Sequence, residues 1–235
     1  METTDLGTHI NRRFDQELDT LRNNVLRMGG LVQDQLQKAI TAVVTGDSEL
    51  GLKVAGDDYK VNKMEVDIDE ECSHILVRRS PAAMDLRLIL MVVKTITDLE
   101  RIGDEAQKVG YLASRLAAME QPDDHYRELK NLGSHVLAML EDSLDAFASL
   151  DADKAKAVVL EDEQVDEEYE AINRQCLTFM MEDPKAIKRV MNVTWAARAL
   201  ERIGDHAKNI SEYVIFLALG KDVRHTEISA RLKES

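Results

Sequence analysis

Glu100 and Asp104 stand four residues apart, and so do Glu201 and Asp205. On a helix this spacing puts both carboxylates of a pair on one face, a turn apart. Like charges so placed repel by roughly a few tenths of a kcal/mol unless a cation lies between them. The chemistry such pairs offer is oxygen coordination of a metal ion. Residues 99–106 and 200–207 carry the same phrase, Leu-Glu-Arg-Ile-Gly-Asp-x-Ala, with seven of eight positions identical. A chain that writes one acidic phrase twice is an internal duplication.

A third pair, Glu65 and Asp69, has the same spacing and is flanked by Asp58 and Asn62. In an antiparallel bundle it would face Glu100 and Asp104. Carboxylates converging without cysteine suit a hard cation such as magnesium, calcium, manganese or iron rather than thiolate-bound zinc. The same residues also read as a solvated helix face, because Lys108 follows Asp104 by four and Glu105 follows Arg101 by four, giving ordinary ion pairs. The second copy departs from the first. Glu65 and Asp69 align with Tyr169 and Asn173, with Asp166 and Glu170 as a shifted pair, so two metal sites would be unequal. The runs Glu161-Asp162-Glu163 and Asp166-Glu167-Glu168 read as mostly solvated, His206 as outward or hydrogen-bonded, and Trp195 as core.

Six helical stretches must position these groups. The first spans about 9–45, with Phe14, Leu18, Leu21, Val25, Met28, Val32, Leu36, Ile40 and Val43 at steps of three and four. Gly46 reads as its C-cap, followed by an N-cap. The second spans about 48–79 and stops at Ser80-Pro81. The third covers about 84–119, and Gln121-Pro122-Asp123-Asp124 closes the first half. Stretches at about 125–149, 152–181 and 185–219 repeat the plan, with Asp151 answering to Asp47 and Cys176 to Cys72 at an offset of 104. Gly220 reads as the final C-cap and the tail as charged and loose. The expected fold is all-α: two tandem three-helix bundles, at residues 9–120 and 124–220, with a tail at 221–235. Gly103 and Gly204 each cost roughly 1 kcal/mol inside a helix, so both imply a close approach by a neighbouring helix or a bound group.

The formal net charge of −14 argues against nucleic acid, because no basic stripe is present to meet a phosphate backbone. Hydrophobic residues at 44% are too many for disorder. The start of the chain lacks the basic and apolar regions of a signal peptide, and no apolar run is long enough to span a bilayer, so the expected compartment is the cytoplasm. Cys72 and Cys176 read as free core thiols. Neither a Gly-x-Ser-x-Gly elbow nor a P-loop occurs, and Glu100 and Glu201 lack the His at i+3 of di-iron helices.

The twin Leu-Glu-Arg-Ile-Gly-Asp phrases, Met64-Glu65-x-x-Ile68-Asp69-x-x-Cys72, Ser80-Pro81 with Asp85-Leu86-Arg87, and Val25-Leu26-x-Met28-Gly29 together resemble the PhoU family over residues 9–220. The resemblance implies two three-helix bundles and a cytoplasmic regulator rather than an enzyme. Such a regulator couples the ATPase subunit of the high-affinity phosphate ABC transporter to the phosphate-sensing histidine kinase. It restrains uptake and keeps the starvation response off when phosphate is plentiful. It also implies a homodimer, contact with the membrane only through partners, and a divalent or trivalent metal (iron, manganese, magnesium, calcium or zinc) at Glu65, Asp69, Glu100, Asp104, Glu201 and Asp205. The competing reading is a metal-dependent enzyme or metal-storage bundle using the same carboxylates.

Overall fold

Two aspartates, one in each half, start the helices that follow the first turns. Asp47 accepts a hydrogen bond from the Leu50 amide, and Asp151 accepts from the amides of Asp153 and Lys154. Each occupies a helix N-cap, where the side-chain oxygen satisfies an amide the helix itself leaves open. In the computed structural model, which describes residues 12–81, 83–119 and 126–220, seven α-helices follow. They are α1 (Arg12–Thr45), α2 (Ser48–Asp57), α3 (Tyr59–Arg79), α4 (Ala83–Ala117), α5 (Arg127–Ser149), α6 (Ala152–Glu182) and α7 (Ile187–Leu219), with a 3-10 turn at Pro184–Ala186. Gly46 and Gly220 adopt the left-handed conformation at φ 65° and 66°, as C-cap glycines do. The expected helix start at residues 9–11, the turn at 121–124 and the tail at 221–235 lie outside the described residues.

Helix 48–79, expected as one element, is two. The Gln107 side chain donates to the Ala55 carbonyl at 2.9 Å, taking the acceptor that the amide of residue 59 would use. A side chain inserted into the i→i−4 ladder interrupts a helix, and neighbouring Gly56 weakens the same turn. The ladder restarts at Asp58, whose carbonyl accepts from the Val61 amide at 2.9 Å. The second half has Lys208 in place of Gln107, and its counterpart, α6, runs unbroken.

The apolar stripe read along α1 is buried as expected, from Phe14 through Leu36 to Val43. α4 packs on α1, α2 and α3, and α7 packs on α5 and α6. The halves then join through α4 against α7 and α1 against α5, so both bundles share one continuous core. The joint is pseudo-symmetric: a Cβ at Gly29 would lie 2.6 Å from Leu144, and one at Gly133 would lie 2.8 Å from Ile40, positions related by the same offset of 104. No helix among the described residues is long and apolar enough to cross a membrane.

Candidate functional site

In the first half the acidic residues gather where α3 meets α4. Glu100 and Asp104 are half-buried on α4, and Glu65 is half-buried on α3. Burial pushes the Glu100 carboxyl above the ordinary range, with Asp104 adding to the rise and Glu65 and Asp58 reinforcing it. Glu65 is raised likewise, by burial and then by Asp69 and Asp104, against Arg101. Asp69, by contrast, is exposed at the rim. Arg101 lies 3.5 Å from Glu100 and 3.6 Å from Asp104.

Beneath these residues sits a buried polar pair. Asp58, 4% exposed at the α2–α3 junction, and Gln35, 4% exposed on α1, flank Gly103. A Cβ at Gly103 would come 3.1 Å from Asp58 Oδ1 and 3.6 Å from Gln35 Oε1. Asp58 Oδ1 and both Gln35 amide atoms have no hydrogen-bond partner among the described residues. Burial, and then Asp104, raise the Asp58 carboxyl, against a hydrogen bond from Asn62. The glycine is therefore both a packing position and the floor of an acidic site, because only a residue without a side chain lets α4 approach these oxygens.

The second half repeats the backbone arrangement with different chemistry. Glu201 is buried and accepts from Arg198 at 2.6 Å, while its Oε2 has no partner among the described residues. Burial and then Asp205 lift its carboxyl to about 7, against Arg198. Asp162, expected on a solvated face, is buried and accepts a short hydrogen bond from Lys208. Burial alone would depress the Lys208 ammonium, but the bond to Asp162 and the charges of Asp162, Glu212 and Asp205 raise it on balance. Glu161 and Glu168 of the same runs clasp His135 of α5 at 2.9 and 3.0 Å, whereas Glu163 and Glu167 are exposed as expected. A Cβ at Gly204 would meet Val165 and Val136, not oxygens.

Each motif also reaches across to the other half. Glu105, beside Asp104, holds Arg202 at 3.0 Å and Lys108 at 2.9 Å. His206, beside Asp205, shares a 2.7 Å hydrogen bond with buried Asp98, which also accepts from Asn209. These are not the pairings that i,i+4 spacing suggests: Lys108 goes to Glu105 rather than Asp104, and Arg101 turns to Glu100 and Asp104 rather than Glu105. Trp195, expected in the core, is 48% exposed. It lines a groove of about 560 Å³ with Tyr111 and Arg115, because the buried stripe of α7 runs through Ala196, Ala197 and Leu200 instead. Cys72 and Cys176 are buried thiols, as expected.

The structure thus brings Glu65 to Glu100 and Asp104, leaves Asp69 at the rim, and sets Glu201 and Asp205 beside Asp162. Among the described residues no three His, Cys, Asp or Glu side chains close on one point as a finished ligand set. The first half nonetheless offers oxygens from four carboxylates against the single guanidinium of Arg101, and Asp58 Oδ1 has no partner among the described residues, which is an environment a hard cation fits. Sequence reasoning missed Gln35 and Lys208. The signal for Gln35 was present: it lies three residues after Val32 and four before Ala39, on the apolar stripe.

The model of the PhoU domain family matches residues 25–113 and 129–214. "Phosphate-specific transport system accessory protein PhoU homolog" of Pseudomonas aeruginosa is 50% identical over 229 residues, covering 97% of this chain and 94% of its own. "Phosphate-specific transport system accessory protein PhoU" of Escherichia coli K12 is 45% identical over 226 residues, covering 96% and 93%. Among solved structures, that of PhoU from Pseudomonas aeruginosa superposes with a TM-score of 0.86 at 50% identity, covering 88% of this chain and 100% of its own. That of the phosphate transport system regulatory protein PhoU from Streptococcus pneumoniae superposes with a TM-score of 0.83 at 29% identity, covering 89% and 99%.

Proposed function

The chain belongs to the PhoU family, and on that premise we propose that it is a cytoplasmic, non-enzymatic accessory protein of phosphate transport. It restrains the high-affinity phosphate ABC transporter and couples that transporter's ATPase subunit to the phosphate-sensing histidine kinase, keeping the starvation response off when phosphate is plentiful. The working unit is a homodimer that meets the membrane only through these partners. The observation that carries the reading is the pair of acidic groups built at equivalent places in two duplicated bundles. Control of this kind needs no bond chemistry. It needs different affinities for two states of a partner, and a difference of about 1.4 kcal/mol shifts the balance tenfold.

A metal ion suits the first acidic group best. Glu65, Glu100 and Asp104 would hold it, with Asp69 closing from the rim; Glu201 and Asp205 are the corresponding residues of the second group. When bound, the metal supplies the positive charge that lets α3 and α4 bring their carboxylates together. The protein's own part is to fix those carboxylates on two helices, to shield them with Gly103 and the core, and to offset them with Arg101.

Affinity capture from membranes of cells grown with scarce and abundant phosphate tests the proposal. Recovery of the transporter ATPase and the sensor kinase, in amounts that change with phosphate, is the expected result. Recovery of neither at any phosphate level overturns it.

A further inference from the structure

The two acidic groups are copies in backbone and opposites in how they deal with charge. In the first, four carboxylates (Asp58, Glu65, Glu100 and Asp104) face one another with Arg101 as the cation beside them. In the second, Glu65 has become Tyr169 and Thr97 has become Arg198, which lies 5.6 Å over the Tyr169 ring while it bonds Glu201. Gln107 has become Lys208, whose ammonium bonds Asp162, the counterpart of Asp58. Gln35 has become Met139, so the amide beside Gly103 is replaced by an apolar side chain with no counterpart oxygen. Every one of these exchanges removes an oxygen donor or adds a fixed positive charge.

Taking the metal reading above as its ground, we infer that the Lys208 ammonium stands in the second half for the metal ion of the first. The first group takes a hard cation from solution, with Asp58 as an additional oxygen ligand and Gln35 within reach. The second carries its cation in the chain. Three features support the assignment. Asp58 Oδ1 is buried, without a partner among the described residues, and aimed at the Gly103 backbone next to Asp104. Its counterpart Asp162 is equally buried but is already met by Lys208. Gln107, at the position of Lys208, turns away from the carboxylates to the Ala55 carbonyl. Glu201 Oε2 also lacks a partner among the described residues, so an open oxygen remains in the second group, and the charge supplied by Lys208, with Arg198 on the other Glu201 oxygen, is what keeps metal from it.

Exchanging the two residues tests this. Chelator-stripped full-length chains are dialysed against manganese(II) alone, bound metal is counted per chain, and circular dichroism confirms the helices. The variants are Lys208→Gln, Gln107→Lys, Asp58→Asn, Glu100→Gln/Asp104→Asn and Glu201→Gln/Asp205→Asn. In the parent, manganese should be lost on Glu100→Gln/Asp104→Asn, weakened at least about tenfold by Asp58→Asn, and unchanged by Glu201→Gln/Asp205→Asn. Lys208→Gln should roughly double the metal bound, and Gln107→Lys should abolish it. Metal lost equally from both halves of the parent, or no gain in folded Lys208→Gln, overturns the inference. If the parent binds no manganese, the general metal reading fails. A gain on Lys208→Gln would then still support Lys208 as the resident cation, and no gain would overturn that too. Should Lys208→Gln not fold, manganese retained in folded Gln107→Lys overturns the inference by itself.

Discussion

Glu201→Gln should make the metal-free protein more stable, by a gain that grows as pH rises above about 5 and is nearly complete just above 7. The Glu201 carboxyl rises from its ordinary 4.5 to about 7 because it is buried and faces Asp205. Each tenfold change in proton affinity corresponds to about 1.4 kcal/mol, so ionising this group costs the folded state about 3 kcal/mol relative to the unfolded chain. The sign follows from which state holds the proton more tightly. The folded state does, so the protonated carboxyl favours the fold below the unfolded value of 4.5, and that advantage drains away as pH rises through about 7. Glutamine keeps the shape and never ionises. Arg198 loses its ionic partner, although the glutamine Oε1 can still accept from it, and because its side chain is 53% exposed to water the cost is about 0.5–1 kcal/mol. The variant should therefore match the parent near pH 5 and exceed it by about 2 kcal/mol near pH 8. Urea unfolding in the presence of a chelator at several pH values measures the difference directly. A difference that stays flat with pH, or narrows as pH rises, refutes the assignment of a strained carboxylate to this position.

Where α2 crosses α4, a Cβ at Gly110 would lie 2.8 Å from the Gly51 carbonyl oxygen and 3.0 Å from Val54 Cβ. Gly110→Ala should therefore lower stability by about 1–3 kcal/mol despite the better helix former, whereas Gly30→Ala, with open space around it, should gain up to about 1 kcal/mol; thermal melts distinguish the two. Asp47→Ala and Asp151→Ala should each cost about 1 kcal/mol in denaturant titrations, since each removes a helix N-cap bond. Cys72, whose thiol burial lifts to about 12, and buried Cys176 should resist a thiol reagent at neutral pH until denaturant is added, which a colorimetric thiol assay follows.

The helices were legible because their signals are local. Apolar steps of three and four on α1, the cap at Asp47 and its copy at Asp151 all follow from residues a turn or two apart. What escaped depends on partners far along the chain. The break at Asp58 is made by Gln107, 52 residues from the carbonyl it takes. Asp162 looked like one member of an acidic surface run until Lys208, 46 residues on, was brought against it. Trp195 reads as core by type alone, but exposure is set by which face of α7 meets α4, and that phase is fixed by the buried residues Ala196, Ala197, Ala199 and Leu200. The pairing of Lys108 likewise depends on a third party. Glu105 is buried and drawn into the seam by Arg202, so it offers Lys108 a fixed partner that the more open Asp104 does not.

The motif therefore has two faces with separate duties. Successive residues on a helix point about 100° apart, so Asp104 and Glu105 cannot serve the same neighbour. Asp104 faces α3 and the acidic group, while Glu105 faces α7 and Arg202. In the second copy Asp205 faces the acidic group beside Asp162, while His206 faces Asp98 on α4. The seam joining the halves is thus made of residues directly adjoining the carboxylates. A change in charge at the first group acts on α4, and α4 is the helix that the second half grips. A bundle built this way has a physical means of letting the charge state of one half bias the packing of the other, provided α4 and α7 have two arrangements of similar energy. That condition belongs to the seam, through Glu105, Arg202, Asp98 and His206, rather than to the carboxylates themselves.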